Sequence, residues 1–106
     1  MGAINTVFYP RPAILNNAQV SGTALTVTST AAVQLSNFDN RIDIITVDIQ
    51  GNDVYVTFDG TTPANGVAHI IYNREKVDWS PATARAAKFV ALTTANATIY
   101  ASPFQI

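Results

Sequence analysis

Few residues in this chain could do chemistry. His69 is the single histidine, and there is no cysteine. Without thiols there is no disulfide framework, zinc knuckle or cysteine nucleophile. One imidazole weakens every scheme that needs a His pair or a Ser–His couple, and the scattered Ser and Thr lack the G-x-S-x-G setting of a nucleophile elbow. His69 alternates with Val67 and Ile71, which predicts a structural side chain on a partly apolar surface. Buried at an interface, it would also respond to pH.

Asp43, Asp48, Asp53 and Asp59 are the carboxylates of the central segment. Calcium needs several oxygens converging from one loop, and a glycosidase needs two carboxylates facing across a cleft. These four are spread over two strands and their turns, so they are expected as solvated strand-edge groups. Asn96-Ala97-Thr98 matches a glycosylation acceptor but is expected to be a turn Asn followed by a strand Thr. Trp79, Tyr55, Tyr72 and Tyr100 could serve as platforms for sugar rings if exposed. A lone Trp more often fills a core or an interface, and Trp79 is assigned there. No catalytic residue, cofactor or metal site is expected, and the chain reads as a non-enzyme.

The elements that must position these side chains follow from composition and alternation. At 106 residues the chain fits one domain. Hydrophobic residues make up 48% and charged residues 12%, about half the usual charged share of roughly 25%. Six Lys and Arg against seven Asp and Glu leave net charge −1, so no basic face is available for nucleic acid. No run of 18 apolar residues predicts a membrane span, and the first residues lack a signal-peptide pattern, so synthesis in the cytoplasm is expected. Sixteen Ala, thirteen Thr and nine Asn fill the space that charge leaves. Thr suits pleated, half-buried surfaces. Depletion of Lys, Glu and Asp is a mark of interface cores, so a homo-oligomer is expected.

Residues 1–17 read as an extended N-terminal arm, and residues 18–106 as a β-sandwich domain. In the arm, Pro10 and Pro12 bracket Arg11 and enforce an extended path. Phe8, Tyr9, Pro10 and Arg11 are interface candidates together with Trp79. The arm lies either along its own domain as an edge strand or along a neighbouring subunit or partner, and the second is the expectation carried forward. Strands are expected at Ala24–Thr28, Ala32–Leu35, Ile42–Ile49, Val54–Phe58, Val67–Tyr72, Glu75–Trp79, Lys88–Leu92 and Ala97–Ala101. Two apolar faces at the start of the Ile42 strand predict a central strand covered on both sides. Gly51-Asn52 between two alternating runs predicts a tight hairpin, and Thr93–Asn96 predicts a terminal one. Ser80 and Pro81 suit the cap and first position of one short helix through Ala87. The expected class is all-β: a single antiparallel sandwich, or a related jelly-roll or barrel, with Leu25, Val27, Val47, Ile49, Val54, Val56, Phe58, Phe89 and Ile99 in its core.

The stretch Ser21–Ile106 resembles small virion proteins of tailed bacteriophages. The resemblance rests on Thr23–Thr30 leading to Val33-Gln34-Leu35, on Ile44–Ile49 running through Gly51-Asn52 into Val54–Gly60, on Thr61-Thr62-Pro63-Ala64 with Gly66 and then Trp79, and on the ending Ala87–Leu92 with Ala97–Tyr100. It implies a capsid decoration (cement) protein or head fibre on the virion surface, with itself and the major capsid protein as partners and a trimer as the favoured oligomer. The alternative is a glycan- or receptor-binding module or a small tail component.

Overall fold

The computed structural model describes residues 13–14, 24–36, 38 and 40–105. Its elements, in chain order, are β1 (Ala13–Ile14), β2 (Leu25–Val27), β3 (Ile44–Gln50), β4 (Val54–Thr57), β5 (His69–Ile71), β6 (Lys76–Trp79), α1 (Pro81–Ala86), β7 (Lys88–Ala91) and β8 (Ala97–Gln105). The expected all-β class is what forms: two antiparallel sheets face one another, with one short helix beside them.

The large sheet is built on β3. Ile45, Val47 and Ile49 alternate with Thr46 and Asp48, and the three apolar side chains are buried. One edge of β3 pairs with β8 from Ile44↔Phe104 to Gln50↔Thr98, and the other pairs with β6 from Ile45↔Trp79 to Asp48↔Lys76. The far edge of β8 carries β2 at Ala97–Ile99 and β1 at Phe104–Gln105. Ala13 and Ile14 therefore lie on the domain's own last strand. The interface candidates Phe8, Tyr9, Pro10 and Arg11 lie outside the described residues. The small sheet places β4 between β5 and β7, and Val33 bridges to Phe89 on the far side of β7.

Between the sheets, Val27, Ile45, Val47, Ile49 and Ile99 face Val54, Val56, Phe89 and Ile71. Each fully buried side chain of this size contributes roughly 1.5–3 kcal/mol of transfer energy. Leu25 packs half-buried against this cluster. In α1, Ser80 Oγ accepts from the Thr83 N–H at 3.2 Å, Pro81 opens the first turn, and Ala84 is the buried contact. The helix ends where Ala87 turns extended.

Several expectations need correction. The strand expected at Ala32–Leu35 is a single bridge at Val33, and the one expected at Val67–Tyr72 is confined to His69–Ile71. β3 is central, but Ile44, Thr46 and Asp48 are only half-buried on its second face, and Ile42 is buried before the strand starts. Both expected hairpins are crossovers between sheets. Gly51-Asn52 joins β3 of the large sheet to β4 of the small one, and Thr93–Asn96 joins β7 of the small sheet to β8 of the large one.

The reason is visible at that end of the molecule, where the two crossovers bond to each other rather than closing on their own strands. The Asn52 side-chain amide donates to Thr93 Oγ1 at 2.8 Å and to the Ala95 carbonyl at 2.7 Å. The Leu92 N–H donates to the Asp53 carbonyl at 3.0 Å. A third crossover, from β5 to β6, joins them: the Gly51 N–H donates to Asn73 Oδ1, and the Asn73 N–H donates to Asp53 Oδ1. Gly51 sits at φ +93°, and a Cβ there would stand 3.2 Å from the Asn96 carbonyl oxygen.

Loss of these contacts should be measurable by urea denaturation. Asn52→Ala is expected to lower stability by about 0.5–1.5 kcal/mol, the net worth of hydrogen bonds whose exposed partners can turn to water. Gly51→Ala should cost about 1–3 kcal/mol through its backbone conformation and the close Asn96 carbonyl.

Candidate functional site

The two sheets differ on their outer faces. An antiparallel sheet with one face in water ordinarily alternates apolar-in and polar-out. The large sheet does so. Its outward rows are Thr26–Thr98–Gln50, Tyr100–Asp48–Lys76 and Ser102–Thr46–Asp78, with one apolar row at Phe104–Ile44. Thr46 Oγ1 donates to Asp78 Oδ1 at 2.7 Å, and Gln50 Nε2 donates to Asp48 Oδ1 at 2.8 Å.

The small sheet does not. Val54 and Val56 point inward, so Tyr55 points outward, and its neighbours in register are Ile70 on β5 and Val90 on β7. The row Val90–Tyr55–Ile70 crosses all three strands. Tyr72 follows two residues after Ile70. Ile70 is 39% exposed and Tyr72 56% exposed. This face is the strongest candidate for an interaction surface. It was legible only as an oddity of the sequence: Ile70-Ile71-Tyr72 and Phe89-Val90-Ala91 are continuous apolar runs where alternation would be expected.

A second feature lies where the sandwich opens, at the end away from the crossovers. Trp79 faces inward opposite Ile45, as its assignment to a core or interface expected, and is half-buried against the core. Its ring stacks on Phe89 with centroids 5.9 Å apart and meets Phe58 edge-on at 5.3 Å. His69 follows outward, 6.1 Å from Phe58. The aromatic row thus runs from core to rim, and Phe58, expected in the core, is 37% exposed. It is in phase with the buried Val56, but the strand ends at Thr57 and the chain turns away before the ring is covered. Thr57, Phe58, Asp59, Val67 and His69 line a depression of about 240 Å³. His69 is exposed there, although it shares the inward side with Val56.

Asp59 stands at this rim. Its Oδ1 accepts from Thr61 Oγ1 at 2.6 Å and from the Thr61 N–H at 3.1 Å. These bonds hold its carboxyl below the ordinary value, so it is ionised near neutrality. Asp43, Asp48, Asp53 and Asp59 are not brought together, and among the described residues no three His, Asp or Glu are placed to hold a metal ion. A further open depression of about 400 Å³ lies between Gln34–Phe38 and Arg85, whose guanidinium stands 4.8 Å over the Phe38 ring.

Two outcomes follow from this geometry. Phe58→Ala should cost about 1–2 kcal/mol and Phe89→Ala about 3–5 kcal/mol by denaturant unfolding, because only Phe89 leaves a sealed cavity. The Asp59 carboxyl should titrate below 3.8 by NMR, and Thr61→Val should move it upward. Because the folded value is depressed, the stabilising contribution is present above the unfolded pKa and is lost as pH falls through the folded one.

Comparison of the chain with protein-family models, with curated proteins and with solved structures finds no match in any of the three.

Proposed function

We propose that this chain is a non-enzymatic structural protein of a tailed-phage virion, a decoration protein that binds the major capsid protein on the head surface through the outer face of the small sheet. The observation that carries the reading is the outward apolar row of the small sheet, where exposed Ile70 and Tyr72 stand beside the half-buried Tyr55 and the covered Val90. A charge-poor surface agrees with it: 12% charged residues leave little to keep a partner away. The resemblance of Ser21–Ile106 to small phage virion proteins supplies the setting.

The energetics suit repeated, modest contacts. Covering what Tyr55, Ile70 and Tyr72 still expose is worth roughly 0.5–1.5 kcal/mol each before the cost of docking, since each is already partly covered. A single site of that strength binds weakly. A protein displayed in linked copies over a regular lattice multiplies it through effective concentration.

The rim depression favours one other reading, a glycan- or receptor-binding module on the same virion. There an exposed Phe58 ring lies beside the Asp59 carboxylate and the His69 imidazole, which suits a sugar's apolar face and its hydroxyls. The two readings use different surfaces. Heads of the phage that encodes the chain, prepared without it, should bind the purified protein in co-sedimentation. Tyr55→Glu should abolish that binding while Phe58→Ser leaves it intact. Binding that survives Tyr55→Glu and fails with Phe58→Ser would transfer the function to the rim.

A further inference from the structure

We infer that Asn65 is a self-modification site: the Gly66 backbone nitrogen displaces its side-chain amide, and water then leaves a carboxylate in its place. The inference stands apart from what either surface binds.

The chemistry needs an amide side chain followed by a residue that lets the backbone nitrogen reach it. Glycine does so best, since it has no Cβ to crowd the approach or restrict the rotation. Of the nine Asn in the chain, Asn65 alone precedes Gly. Residues 64–67 form a β-turn, closed by the Val67 N–H donating to the Ala64 carbonyl at 3.2 Å. Gly66 takes its second central position at φ +86°, where a type II turn calls for glycine. Asn65 and Gly66 are both exposed, and no atom stands within 4 Å of where a Gly66 Cβ would be. Among the described residues, nothing bonds to the Asn65 amide or to the Gly66 N–H.

Three comparable groups are tied down. Asn73 Oδ1 accepts from the Gly51 N–H, and the nitrogen that would attack it, that of Arg74, donates to the Ile49 carbonyl at 2.7 Å. The Asn52 amide is bonded to Thr93 and Ala95, and the bulkier Asp53 follows it. Asp59 precedes Gly60 and could close the same ring by losing water, but an ionised carboxylate is a poor electrophile. Its bonds from Thr61 hold it in that form.

The atoms balance with water as the only co-reactant. Solvent base takes the Gly66 amide proton. The nitrogen bonds to Asn65 Cγ, closing a five-membered succinimide, and the Cγ–Nδ2 bond breaks to release ammonia. Water then opens the ring. Attack at Cγ breaks its bond to nitrogen and gives aspartate. Attack at the main-chain carbonyl breaks the other carbon–nitrogen bond and gives isoaspartate, with the backbone rerouted through Cγ. Nothing is oxidised or reduced: an amide and a water become a carboxylate and ammonium. The net charge moves from −1 to −2. Asp59 is the sole carboxylate of the 59–66 loop as synthesised. The product adds a second, two residues before Val67 of the rim depression.

Incubating the full chain in mildly alkaline buffer tests this, read by isoelectric focusing and by mass mapping of its peptides. One acidic species should accumulate, focusing with Asn65→Asp and carrying aspartate and isoaspartate at position 65. Asn65→Gln, whose ring would need six members, and Gly66→Ala should each slow it at least about tenfold. Circular dichroism should be unchanged in both, since the turn is exposed. In urea, Asn65 should react at a rate close to that of the folded chain, while Asn52 and Asn73 should begin to react as well. A folded chain that stays unmodified, or whose Asn65 reacts at least about tenfold slower than in urea, would overturn the inference. So would acidic species of the folded chain that map to Asn52, Asn73 or Asp59, or that form as fast in Asn65→Gln.

Discussion

The fold depends on how the chain crosses between its two sheets. Three crossovers meet at one end, and the Asn52 amide, the Asn73 side chain and the Asp53 carboxylate tie them into a single hydrogen-bonded group. Next to it, the Arg74 N–H donates to the Ile49 carbonyl and the Ile49 N–H to the Glu75 carbonyl, so the third crossover is bound to the end of β3. A crossover lacks the ladder that satisfies a hairpin's backbone, and each hydrogen bond that replaces it is worth about 0.5–1.5 kcal/mol net. Here each crossover supplies the partners the others lack. Among the described elements, β4 and β5 are the only consecutive strands that pair with each other. Nearly every other pairing therefore depends on these crossovers holding their places.

That fixed end sets the register, and the register sets the faces. A slip of one residue between β3 and β8 would turn Ile45, Val47 and Ile49 outward and Thr46 and Asp48 into the core. With the register held, the outer face of the large sheet presents Thr, Ser, Gln and Asp around Tyr100, and that of the small sheet presents Ile70 and a half-buried Tyr55, with Val90 covered. Among the described residues, the opposite end has no comparable group of bonded crossovers. It is filled instead by the row from Phe89 through Trp79 and Phe58 to His69, which grades from sealed core to open rim. One end of the sandwich is closed by hydrogen bonds and the other by aromatic packing.

The sequence carried the class and most of the core, because alternation reports burial locally. Ile45, Val47 and Ile49, then Val54 and Val56, could be read directly, and so could the Ser80–Pro81 start of α1. Pairing was not legible. Gly51-Asn52 has the composition of a hairpin turn, and nothing nearby in sequence signals that the Asn52 amide bonds to Thr93 and Ala95 about forty residues later. Thr93–Asn96 read as a hairpin for the same reason, a turn-like stretch between two alternating runs. Phe58 was misplaced for a different reason: periodicity gives its side, but it cannot show that the strand stops one residue earlier. Type alone left Trp79 between a core and an interface, and it packs half-buried against the core. The outer row of the small sheet was visible only as an excess of apolar residues, since which strands neighbour Tyr55 is a matter of topology.

The make-up of that outer row fits a protein that must remain soluble before it docks. Leu or Phe at these positions would expose purely apolar surface in the free protein. Tyr55 and Tyr72 present an apolar ring with a hydroxyl at its tip, which water can solvate before contact and a partner can bond after it. Val90 is already buried, so Ile70 is the row's exposed aliphatic side chain. It lies on β5, at the edge of the small sheet. A strand's hydrogen-bonding edge and its side-chain faces point in different directions, so the edge of β5, open among the described residues, and the exposed Ile70 side chain are separate features of one strand.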